Sequence, residues 1–221
     1  TLLFSILLAS GVTNTRISLS ASYKHPTVVD SDLGSGSLRT TDLGLNYKKR
    51  IEELAREWSL FPVASSFALA QRGAPKPVVP EKNLRIICGS FDSQYVEHLL
   101  RDGQDHFFVG RAPGHVATVG PFVQPGSTPC RRCLSLIEAD RVGVAELSIP
   151  LGTSDELPIA VAHQVAALAA HAALKFIDTG KSELQAAQLI VDFLDALNPQ
   201  LQHFPQHPEC ECLWTSADLI L

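Results

Sequence analysis

Methionine is missing from all 221 residues, the first position included. The chain is therefore expected to begin inside a longer protein, or to have lost methionine positions, which would shorten the spacings read below. A basic surplus is missing too. The formal net charge is −5, which argues against nucleic-acid binding through phosphate neutralisation; Arg131-Arg132 is only a small basic spot. There are no internal repeats and no low-complexity tail. The apolar run TLLFSILLASGV (1–12) lacks the basic flank of a secretory signal and is too short to cross a bilayer. It is expected to be a buried helix stopped at Gly11, in a cytoplasmic protein with no membrane partner. What remains is an ordinary globular composition, 45% hydrophobic and 19% charged, enough for one large domain or a domain with a small subdomain.

Four of the five cysteines fall in two close pairs, Cys130 and Cys133 in TPCRRC and Cys210 and Cys212 in HPECEC. Two such pairs fill a tetrahedral all-thiolate zinc site and leave no position open for chemistry, so the zinc would be structural. Three other readings stay open. The pairs could be disulfides in an oxidising compartment. Cys130 and Cys133 could form a redox couple, which would call for a helix N-terminus after a strand. His207 could replace one cysteine as a ligand. The turn Pro125-Gly126 before the first pair, and Pro205 and Pro208 before the second, place both pairs in loops.

Along the chain, Thr15 to Ser20 reads as a strand and Asn46 to Trp58 as a helix with Ile51, Leu54, Ala55 and Trp58 on one face. A proline-rich connector follows at 72–82. LRIICG (84–89) reads as a central parallel strand that buries Cys88, 94–101 as a helix, HFFVG (106–110) as a strand and HVATVGPFV (115–123) as a strand pair. The alternation predicts an α/β doubly wound sheet. Ile159 to Phe176 reads as a helix apolar nearly all round and therefore buried, with His163 and His171 packed or facing a partner. QLIVDFL (188–194) is expected to be a strand turning at Asn198-Pro199 into a return strand, 201–204.

The segment GPFVQPGSTPCRRC (120–133) resembles the first zinc knuckle of the ubiquitin-activating-enzyme-like, ThiF-type adenylating fold, and HPECEC (207–212) resembles the ending of its cyclodehydratase or leader-peptide-binding branch in thiazole- and oxazole-modified peptide biosynthesis. LLASGV, LRTTDLG and IICGSFD resemble the family's first helix, arginine-bearing crossover loop and switch-point strand. The resemblance implies a Rossmann-like, mainly parallel sheet over 1–133 and a zinc-stapled helix and hairpin over 134–221, packed as one domain. It also implies zinc on Cys130, Cys133, Cys210 and Cys212, a peptide or protein partner, and a homodimer that the helix at 161–176 would support.

In that family ATP and magnesium serve carboxylate or amide activation. The matching positions are Arg39 for phosphate, Lys48 or Lys49 near the catalytic lysine though out of register, and Asp92 for magnesium. Each has a plain alternative: a loop anchor, a solvated helix face and a helix N-cap. Ser20 and Ser22 stand where the family carries a ribose-binding acid, and the sequence is expected to begin inside the family's first helix, so that the glycine-rich loop preceding it falls outside this sequence. The expectation is therefore a binding or scaffold protein with a degenerate nucleotide site; the alternative is a working ATP-dependent adenylating or cyclodehydratase enzyme.

Overall fold

The computed structural model describes residues 2–12, 15, 25–33, 37–59, 83–89, 93–112, 115–142 and 157–212. Nearly all of the expected strand at 15–20, the whole connector at 72–82, Ser20, Ser22 and Asp92 lie outside the described residues. The chain forms two compact units, Thr1–Glu81 with Glu156–Ala170, and Lys82–Asp155 with His171–Leu221.

In the first unit, helix α1 (Leu2–Ala9) buries Leu3, Phe4, Leu7 and Leu8. It stops where expected, because Gly11 takes a φ of 90°, a conformation that costs glycine little. A one-turn helix α2 (Asp30–Leu33) and a 3₁₀ turn (Thr40–Asp42) lead to α3 (Tyr47–Trp58). Asn46 caps α3 by accepting the N–H of Lys49 at 3.0 Å. Phe4 and Leu8 of α1 pack with Val28, Leu38, Tyr47, Ile51 and Leu54 into one apolar cluster. Burial of each large side chain of this kind contributes about 1.5–3 kcal/mol.

The second unit holds a five-stranded mixed sheet in the order β1 (Arg85–Cys88), β2 (His106–Ala112), β3 (Val116–Val123), β4 (Ala187–Asp192), β5 (Gln200–His203). Helix α4 (Ser93–Arg101) connects β1 to its parallel neighbour β2. The other three neighbouring pairs are antiparallel. A mainly parallel sheet was expected; among the described residues only one pair is parallel. The reason lies in the connections. Three residues separate β2 from β3, far fewer than a parallel crossover requires.

The expected strand pair at 115–123 is the single strand β3. Val119 faces Val109 and Phe122 faces Phe107, so Gly120 and Pro121 together oppose Phe108 as a bulge. Phe107 and Phe108 then point to opposite faces of the sheet. On one face Phe122 packs against Phe176, ring centroids 4.2 Å apart. On the other, Phe108 and Val123 join Val96 and Leu99 of α4, Leu134 of α5 (Arg131–Val142) and Phe204 in a second apolar cluster, which also contains Cys130, Cys133 and Cys210.

Helix α6 (Ile159–Thr179) contributes its first part to one unit and its last part to the other. It buries Val161, Val165, Ala169, Ala173 and Phe176, while Ile159, His163, Ala167, His171 and Ile177 are exposed. Burial nearly all round was expected; the helix is buried on one face. By length and composition it is long and apolar enough to cross a membrane, and its buried face is equally that of a core helix. Cys88 is exposed, not packed inside a strand, because only Ile87 of β1 is buried.

Candidate metal centre and an arginine-lined cavity

The first cysteine pair hangs from the end of β3. Gln124 receives the N–H groups of Ser127 and Thr128, and its own N–H donates to Thr128 Oγ1 at 2.9 Å, closing the Pro125-Gly126 turn. Cys130 follows, and α5 begins at the next residue. Cys133 therefore sits in the first helical turn, its N–H donating to the Cys130 carbonyl at 3.1 Å. A loop was expected here. The observed position is a helix N-terminus, whose exposed N–H groups and dipole stabilise thiolate charge.

The second pair comes from the segment after β5. The Cys210 N–H donates to the His207 carbonyl at 2.9 Å, and Gln206 Nε2 donates to the Cys210 carbonyl at 3.0 Å. All four thiols converge: every Sγ lies within 4.8 Å of the others, with Cys130 and Cys210 at 3.6 Å and Cys133 and Cys212 at 3.4 Å. A zinc–sulfur bond of about 2.3 Å places tetrahedral sulfurs about 3.8 Å apart. The four donors fit such an ion in number, chemistry and spacing. All five cysteines are free thiols.

The electrostatics point the same way. Hydrogen bonding from Cys212, with help from the backbone N–H groups of Cys133 and Arg132 and from the Cys210 thiol, pulls the Cys130 thiol down to about 5. Burial, together with the charge on Cys130, pushes Cys210 up to about 12, and Cys212 is also raised by its hydrogen bond to Cys130. The cluster can hold one thiolate easily and further ones only beside a cation. Three of the four cysteines are buried and Cys212 half-buried, so a bound ion would be closed off from substrates.

A second candidate site lies in the first unit, a cavity of about 380 Å³ lined by Ser37, Arg39, Arg50, Leu54, Glu57 and Trp58, among others. Arg50 is held on three sides. Its Nε donates to Asp42 Oδ1 at 2.7 Å and its Nη1 to Glu57 Oε1 at 3.2 Å, with Glu53 Oε2 at 3.5 Å. The second oxygen of the buried Asp42 accepts the Arg39 N–H at 2.8 Å. Ser37 Oγ is buried and makes no hydrogen bond among the described residues.

Of the residues singled out by sequence, Arg39 lines this cavity and Lys48 and Lys49 do not; both lysines are exposed on the first turn of α3. Arg50, Asp42 and Glu57 were not foreseen. The signal was present for two of them: Arg50, Leu54, Glu57 and Trp58 follow i, i+4, i+7, i+8, one stripe of a helix. His207 is not among the converging ligand atoms, since both of its ring nitrogens are engaged elsewhere.

No protein-family model and no curated protein matches this chain. Solved structures do. The structure of Escherichia coli MccB with MccA-N7isoASN superposes with a TM-score of 0.57 at 15% identity, over 85% of this chain and 58% of that one. MccB from the same organism with ATP gives 0.54 at 18%, over 84% and 56%. The microcin C7 biosynthetic enzyme MccB in complex with N-formylated MccA gives 0.54 at 17%, over 81% and 55%. The chain spans less than two thirds of the length of these proteins. At such identities the likeness is one of fold.

Proposed function

We propose that this chain is a zinc-stapled ThiF-like protein that recognises a peptide on behalf of a peptide-modifying, azoline-forming cyclodehydratase-like partner, with its nucleotide site degenerate. The observation that carries this reading is Arg50. It lines the cavity beside Arg39, yet Asp42, Glu53 and Glu57 already surround its guanidinium. A triphosphate entering there would have to displace or approach those carboxylates, which disfavours it electrostatically.

Recognition itself is assigned to the β4–β5 end of the sheet. Strand β5 closes the strand order, and beside it Leu194 is 82% exposed, Leu197 97% and Leu201 44%. An extended peptide can add to such an edge through main-chain hydrogen bonds while its apolar side chains cover the leucines. MccB, which shares the fold, was solved with the peptide MccA.

A second reading, the ATP-dependent adenylating or cyclodehydratase enzyme, is favoured by the buried Ser37 hydroxyl, without a hydrogen-bond partner among the described residues, in a cavity that also holds two arginines. Calorimetric titration of the zinc-loaded full-length protein with magnesium-ATP separates the two. We expect no binding heat, together with recovery of peptides from a displayed random library that Leu201→Lys abolishes. Micromolar ATP binding with steady pyrophosphate release would establish the enzyme instead.

A further inference from the structure

The second cysteine pair is preceded by a histidine that the ligand set does not need. His207 is 6% exposed, and every polar atom it carries toward the knuckle is used. Its carbonyl accepts the N–H of Cys210 at 2.9 Å, its Nδ1 accepts the N–H of Glu209 at 3.1 Å, and its Nε2 lies 2.9 Å from Asp140 Oδ2. A ring that accepts at Nδ1 carries its proton at Nε2 and donates it to the carboxylate. Pro208, between them, has no N–H to offer. The ring and its own carbonyl thus take up the two successive N–H groups that lead into Cys210.

We infer that His207 is a positioning residue for the metal: its carbonyl closes the turn from 207 to 210, its Nδ1 fixes the N–H of Glu209 within that turn, and together they hold Cys210 Sγ in place opposite Cys130. Asp140 has the subsidiary part. Its side chain is 73% exposed, so its bond to the ring is worth little as an ion pair. It does set the ring's tautomer and orientation, as partners behind a metal site commonly do. Asp140 stands on α5, the helix whose first turn carries Cys133, so one imidazole links both knuckles.

The two ring nitrogens can be tested apart in the full-length chain. In His207→Asn an amide oxygen takes roughly the place of Nδ1, and in His207→Gln an amide N–H takes roughly that of Nε2. Zinc retention against a chromophoric chelator, and the visible spectrum of the cobalt(II)-loaded protein, are the readouts. His207→Ala and His207→Gln should weaken zinc binding about tenfold or more, with the cobalt spectrum still that of four thiolates. His207→Asn should stay close to wild type. Wild-type affinity in the alanine variant, or an asparagine variant no better than glutamine, overturns the inference; so does a change of cobalt ligand set, which would make the ring a ligand. Should the alanine variant not fold, the order of asparagine against glutamine decides alone.

Discussion

At the scale of single residues, His106 gives the sharpest prediction about stability. It is fully buried at the start of β2, its Nδ1 2.8 Å from the Gln104 carbonyl and its ring edge-on to Phe108. Its Nε2 is buried and has no hydrogen-bond partner among the described residues. Burial holds its pKa below the usual 6.5, against a weaker opposing effect of the Gln104 bond. The unfolded chain therefore binds more protons than the folded one as pH drops below 6.5, and stability falls. The slope contributed is at most about 1.4 kcal/mol per pH unit. Replacing His106→Phe should remove that contribution, read as a smaller loss of unfolding free energy between about pH 7.5 and pH 5.5 in denaturant titrations. Equal losses in both proteins would locate the acid sensitivity elsewhere. Residue chemistry was legible in the sequence where spacing alone carries it: the four cysteines needed only two short motifs. Arg50 was not, because a charged run such as KKR looks solvated until the helix face it belongs to is known.

At the scale of elements, Gly120 governs how β3 passes beside β4. Its φ is +100°, and an added Cβ would stand 2.9 Å from the Ala187 carbonyl oxygen and 3.2 Å from Gln188 Cα. Both neighbours are backbone and cannot turn aside. Gly120→Ala should lower stability by roughly 1–3 kcal/mol through strain and crowding; an unchanged thermal midpoint would mean that β4 yields without cost. The same residue explains one misreading. Gly-Pro inside a β pattern signals a turn, and the sequence does not reveal that the pair forms a bulge inside one continuous strand. Helix α5 was hidden for a related reason: it starts directly after Cys130, where none of the usual capping side chains stands. By contrast α1, α3, α4, β4 and β5 lie close to where periodicity and turn residues put them: α1 and α3 bury one face in a shared cluster and α4 in the second, while Asn198-Pro199 marks the turn between β4 and β5.

At the scale of the whole molecule, the cysteine site determines what metal removal does. Cys130, Cys133 and Cys210 belong to the same apolar cluster as Leu134 and Phe204, so losing a bound ion would leave thiols in the core with nothing to hold the four together. Stripping with a strong chelator, or Cys130→Ser, should abolish stoichiometric zinc and the cooperative melting of the second unit, since structural zinc sites are worth on the order of 10 kcal/mol in apparent binding free energy. Native-like melting in a metal-free sample would show that the apolar packing suffices by itself. A bound ion would also act far from its ligands. Joining residue 130 to residue 210 ties α6, β4 and β5 into a closed ring of about eighty residues, and closing a ring of that size removes about 4–5 kcal/mol of chain entropy from the unfolded ensemble in a disulfide-type account. As long as the ion stays bound, the denatured polypeptide is a tethered loop with two free arms, never a linear coil. Refolding then starts from a topology already restricted to the native one, and the lifetime of the metal–thiolate bonds becomes the clock for irreversible escape.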